Sequence, residues 1–204
     1  FGGWDIFEED CYAAARTAGV IEPSLLDRVR PELEQIRPWP AVFDHRYVKR
    51  LDGPNVKKGK NKKDLADQLI ADIRKFTADN KCSRVVLIWA GSTEIFLTEA
   101  PCHSSLAAFE KGLVDNDPAI SPSQIYAYAA LSEGLPYGNA APNLSAEVPA
   151  LRELANKTGS PIVGNDMKVT RNGGQTWQTN VSLTAQVLRG GALRMWGGKP
   201  DLMQ

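Results

Sequence analysis

Cysteine is scarce in this sequence. Its three residues, Cys11, Cys82 and Cys102, are odd in number and widely spaced. That fits neither a disulfide framework nor a zinc pattern, so reduced thiols and a cytoplasmic setting are expected. Histidine is scarcer still. His45 and His103 stand far apart, each without a cysteine or carboxylate at ligand spacing, and no metal site is predicted. No apolar run reaches the roughly 18 residues of a membrane span, and the opening FGGWDIFEED lacks the charged-then-apolar order of a signal peptide. Neither sign of charge is in excess. Lysine plus arginine equals aspartate plus glutamate at 24 each, which removes the electrostatic argument for DNA, RNA or an anionic membrane and leaves a small molecule or a protein as the expected partner. The first residue is not Met, and the chain is expected to begin within something longer.

What is present suits a globular α/β protein: 204 residues, of which 43% are hydrophobic, can bury a core of ordinary size. Residues 8 to 18 and 23 to 36 read as short helices, with Pro31 disturbing the second. The clearest helix lies within DLADQLIADIRKFTADN, where Leu65, Leu69, Ile73 and Phe76 recur at spacings of three and four. It feeds an apolar strand predicted at 84 to 89, central in a parallel sheet and buried on both faces. Helices are expected at 103 to 114, at 121 to 133 behind Ser121 and Pro122, and in VPALRELANKTG up to Gly159, followed by a strand near Pro161 to Val163. LPYGNAAPN reads as a loop. From about Lys168 the texture changes to Gly-Gly pairs, with a short helical suggestion between Val181 and Leu188.

The strand at 84 to 89 ends in Ala90-Gly91-Ser92-Thr93-Glu94, and two more small-residue loops, Gly138-Asn139 and Gly164-Asn165-Asp166, sit at similar positions. Open parallel sheets bind ligands outside the carboxyl ends of their strands, and small residues let backbone N–H groups approach a phosphate or an amide. The plain alternative is that turns use Gly and Asn anyway. KKGKNKK, at 57 to 63, lacks interleaved aromatics and reads as a solvated loop in preference to a phosphate or nucleic-acid patch. Ser92 has no G-x-S-x-G elbow around it and no partner histidine nearby. By residue type alone Lys168 is a surface lysine, although a desolvated lysine in such a loop can bind phosphate or move a proton.

Taken in order, FGGWDI, NVKKGKNKKDLADQLIADIRKF, VVLIWAGSTEIF, NAAPNLSAEVPAL and GNDMK resemble the myo-inositol-1-phosphate synthase family, particularly its bacterial form, over about residues 1 to 168. The resemblance implies a Rossmann-like doubly wound parallel sheet, incomplete in this chain. Residues 1–160 would be the remainder of an NAD-binding domain, and 161–204 the start of an α+β catalytic and oligomerisation domain. It implies NAD as cofactor, lined by Asp5, Ala90, Gly91, Ser92, Gly138 and Asn139, and glucose 6-phosphate as substrate. The product would be myo-inositol 1-phosphate, formed by oxidation, intramolecular aldol closure and reduction in a homotetramer, for inositol and phospholipid biosynthesis. Asp166 and Lys168 match the family's Asp-x-Lys, which makes Lys168 the candidate for holding a developing oxyanion, with Asp166 beside it. The family's amino-terminal Gly-rich phosphate loop has no counterpart in this sequence, Val169 to Gly173 are extra before Gly174-Gln175-Thr176, and the segment from Trp177 onward departs from the family. Two other readings remain: a non-catalytic binding or scaffold relative that keeps the sheet, and another NAD-dependent oxidoreductase such as a homoserine-dehydrogenase-like protein.

Overall fold

The computed structural model describes residues 1–164 in full and the backbone of 169–172 and 176–179. The amino-terminal segment carries β1 (Trp4–Asp5), α1 (Cys11–Ala18), α2 (Pro23–Arg28), α3 (Arg30–Leu33) and β2 (Trp39–Pro40). The expected helix at 23 to 36 is two short ones. Val29 leaves helical geometry, and Pro31 then falls in the first turn of α3, where its missing N–H has no intrahelical acceptor to lose. β1 and β2 pair in parallel as their own two-stranded sheet.

α4 (Lys62–Asp79) begins at Asn61, whose side chain accepts the N–H of Asp64. Leu69 and Ile73 are buried together with Ala66, while Leu65 and Phe76 are half-buried at the margins of the same face. The chain then runs through β3 (Leu87–Trp89), α5 (Leu106–Asp115), α6 (Pro122–Ser132), β4 (Tyr137–Asn139), α7 (Pro149–Thr158) and β5 (Ile162–Gly164). β3, β4 and β5 form a parallel sheet in that order, with Leu87, Tyr137 and Ile162 in one row and Trp89, Asn139 and Gly164 in another. A backbone hairpin, β6 (Val169–Asn172) with antiparallel β7 (Thr176–Thr179), follows. The expected helical suggestion at 181 to 188 lies outside the described residues.

Helix α6 is the centre of the core. It carries no charged residue and is buried from Pro122 to Leu131, the pattern of a helix surrounded on all sides. It packs against α4, α7, β3 and β4, and α5 lies across α4 and α7. A helical layer therefore covers the sheet face that carries Leu87 and Tyr137.

Two expectations about the sheet are corrected. β3 is shorter than predicted and, among the described residues, is an edge strand; β4 is the central one. The even-numbered side chains of the segment predicted as strand also are not buried: Val86 is 59% and Ile88 58% exposed, so this face is uncovered by the described residues. The centre of the sheet instead comes from Tyr137-Gly138-Asn139, a stretch that reads as loop. Gly and Asn are poor strand formers alone, and parallel hydrogen bonding on both sides overrides that preference.

Candidate functional site

The parallel register brings the carboxyl ends of the three strands level. Trp89 pairs with Asn139 and Asn139 with Gly164, and the N–H of Ala140 donates to the Trp89 carbonyl at 2.9 Å. Beyond Trp89 the chain is exposed at Ala90, Gly91, Ser92 and Thr93, then turns inward at Glu94, which is 4% exposed. Gly164 has φ +136°, and a Cβ there would lie 2.4 Å from the Asn139 carbonyl oxygen, so the β4–β5 end closes only around a bare backbone. The rim is thus made of small residues on two loops, 90–93 and 139–143.

Ala90, Gly91 and Ser92 share the carboxyl end of the sheet with Asn139. Gly138 lies one row back, opposite Ile88 and Val163. A Cβ at Gly138 would meet Val163 at an ordinary 3.5 Å, so described packing does not demand glycine there. The Asn139 side chain is committed within its own loop: Oδ1 accepts from the Ala141 N–H and Nδ2 donates to the Asn143 carbonyl, both at 3.0 Å. It shapes the rim, with both amide atoms engaged inside the loop and the side chain buried. Asp5 belongs to the other sheet, where its Oδ1 accepts the Phe7 N–H at 3.0 Å. Its neighbour Trp4 and the rim residue Trp89 both pack on Tyr126, at ring distances of 5.3 and 5.2 Å. Asp166 and Lys168 lie outside the described residues.

Glu94, Ser123, Asn143 and Lys62 were not singled out as site residues by sequence reasoning, although Glu94 falls in the loop it named. The Glu94 carboxylate accepts the Ser123 N–H (2.8 Å), the Ser123 hydroxyl (2.6 Å) and Asn143 Nδ2 (3.1 Å). Burial pushes its carboxyl up from the usual range, and the Ser123, Ser121 and Asn143 donors pull against that. The sequence signal was the single acid after an apolar run, which is too common to stand out.

Lysines of KKGKNKK are not simply solvated. Lys62 is 6% exposed, and its Nζ donates to Tyr47 Oη at 3.0 Å, to the Asp117 carbonyl at 2.6 Å and to the Ile120 carbonyl. Burial brings this ammonium down to about 8. Lys57 pairs with Asp72 at 2.8 Å. His103 is fully buried, with Nδ1 accepting from the Ala100 N–H and Nε2 facing Gln124 Oε1. No group of His, Cys, Asp and Glu able to hold a metal occurs among the described residues, and no described helix is long and apolar enough to cross a membrane.

The helix N-termini bear on any phosphate-containing ligand, because their free N–H groups are the usual anion donors. That of α4 is met by Asn61 and by Asn116, which accepts the Lys62 N–H. Ser105 and Glu153 meet that of α5, and Glu94 that of α6. α7 has no side-chain cap, but the Glu147 carboxylate stands just before it and accepts the Ser145 N–H at 2.7 Å. The N-termini of α4, α5 and α6 are therefore taken by the protein's own side chains, while that of α7 carries no side-chain cap.

A parallel sheet with a small-residue rim at its carboxyl ends is the arrangement of the open α/β class, which binds its ligands at that edge. The matching family model is described as NAD-binding, myo-inositol-1-phosphate synthase, and spans residues 1–188. An inositol-3-phosphate synthase 1 of Bacteroides thetaiotaomicron is 47% identical over 169 residues, covering 82% of this chain and 39% of that protein. The inositol-3-phosphate synthase of Mesembryanthemum crystallinum is 36% identical over 176 residues, with 82% and 33% covered. The crystal structure of an inositol-3-phosphate synthase from Caenorhabditis elegans superposes with a TM-score of 0.77 at 31% identity, covering 82% of this chain and 34% of that one. The chain belongs to the myo-inositol-1-phosphate synthase family, whose cofactor is NAD, and spans about two-fifths or less of the length of these relatives.

Proposed function

We propose that this chain supplies the dinucleotide-facing sheet of an enzyme that converts glucose 6-phosphate to myo-inositol 1-phosphate. The observation that carries the reading is the level end of β3, β4 and β5 with the exposed Ala90-Gly91-Ser92 rim, in a chain of this family. When bound, NAD would take a hydride from the sugar and return it after ring closure. This chain's residues would seat the ring system: Ala90 to Ser92 offer backbone donors without bulky side chains, and Asn139 fixes the turn of the facing loop. Asp5, one aromatic layer away from Trp89, would reach the same ligand from the β1–β2 sheet. Gly138 would keep the sheet face beside the rim flat. Lys168 and Asp166 would stand beyond β5, where a cation can hold a developing oxyanion in place.

The same reading takes in a division near residue 160, a homotetramer and a cytoplasmic setting. Inositol phosphate formation from glucose 6-phosphate and NAD, together with calorimetric NAD binding, tests it. Absence of both in the folded protein sinks the reading. A non-catalytic binding relative is the second reading, favoured by the protein's own side chains occupying the N-termini of α4, α5 and α6. It predicts NAD binding or partner binding without product.

A further inference from the structure

Glu94 is a buried carboxyl group without a cationic partner among the described residues. Its donors come from two distant segments: Ser123 at the start of α6, and Asn143 in the loop after β4. Asn143 Nδ2 reaches both Glu94 Oε2, at 3.1 Å, and the Ser123 hydroxyl, at 2.9 Å, and the Asn143 carbonyl accepts from Asn139. A helix end needs no such arrangement. Gln124 Oε1 already reaches back to the Ser121 N–H at 3.1 Å, the local device that begins many helices. A buried carboxylate is costly unless several donors meet it at once, so this one is stable only while both segments stay in register with it.

We propose that Glu94 is a positioning residue: it fastens the 90–93 loop to the 139–143 loop through Ser123 and Asn143, and so sets the spacing of the two walls of the crevice and its affinity for the dinucleotide. The affinity part rests on the NAD reading above. The fastening does not, because it is a property of the ligand-free protein. Ala140 donating to Trp89 is the other tie between these loops. It is a single backbone bond at the rim; the Asn139 side chain braces residues 141 and 143 within their own loop but does not reach the 90–93 segment.

The test uses Glu94→Gln, which keeps the size but turns an NH2 group toward existing donors, and Asn143→Ala, which cuts the loop tie and leaves Glu94 on Ser123. The second variant keeps the test available should the first fail to fold. Amide hydrogen exchange of the ligand-free protein is read at 90–93, at 139–143 and, as a control, along α7. NAD affinity is measured on the same samples. Each variant is expected to speed exchange in both loops at least tenfold, to leave α7 unchanged and to weaken NAD at least tenfold, with the double variant less than additive. Unchanged loop exchange, acceleration spread equally over α7, or normal NAD affinity despite loosened loops each overturn the proposal. Wild-type protein that binds no NAD refutes the dinucleotide reading instead, and loop exchange still decides the fastening.

Discussion

Gly164 and Asn139 approach so closely across the β4–β5 pair that a side chain on Gly164 would lie 2.4 Å from the Asn139 carbonyl oxygen and 2.9 Å from its backbone nitrogen. The glycine also sits at φ +136°, a region L side chains rarely adopt. Both facts tie the end of β5 to the buried turn of Asn139. Gly164→Ala is therefore expected to cost about 1–3 kcal/mol in chemical denaturation, the usual scale of a forced backbone conformation. Gly138→Ala, with only ordinary contacts around its new methyl, should cost less, and a larger loss at 138 than at 164 would refute the packing argument.

Lys62 gives a pH signature. Its ammonium is at about 8 in the folded protein, below the 10.5 of a free lysine, because burial disfavours the charge. The unfolded chain therefore binds the proton more tightly. Stability from this group is lowest below about pH 8, where both states are charged, and rises until both are neutral above about pH 10.5. Subtracting the pH profile of Lys62→Met isolates the effect, expected on the order of 2–3 kcal/mol across the window. A difference profile that falls with pH would show the carbonyl cage raising this pKa.

Phe109 is fully buried and stacks on Tyr128 at 5.9 Å between ring centroids. Phe109→Ala should cost about 3–5 kcal/mol by equilibrium unfolding, since the layer of α5 and α7 cannot collapse into the space without moving α6. A loss under about 1 kcal/mol would mean that α5 is not part of the core.

Lys168 carries the catalytic half of the proposed function, though it lies outside the described residues. Lys168→Ala in the protein should lower turnover of glucose 6-phosphate by about 10²–10³ while NAD affinity is kept, the scale for one preorganised donor at an oxyanion. Unchanged turnover would return Lys168 to the solvated surface.

Local rules were enough for α4, α6 and α7, though not for the expected helix at 23 to 36, which is broken at Val29. Ser121 and Pro122 start α6 where expected, Gly159 ends α7 in the left-handed conformation at φ +74°, and the three-and-four spacing marks α4. These are contacts within a few residues, so the sequence states them directly. The resemblance to the family was likewise legible, because ordered motifs need no coordinates.

Only the tertiary structure could turn Tyr137-Gly138-Asn139 into the central strand, since both its hydrogen-bonding partners, β3 and β5, are remote in sequence. It likewise made Lys62 of a lysine-rich stretch a buried tie and Glu94 an internal anchor, because the carbonyls of Asp117 and Ile120 and the donors of Ser123 and Asn143 arrive from elsewhere in the chain. Burial of a charge depends on which distant groups meet it, and no local pattern encodes that.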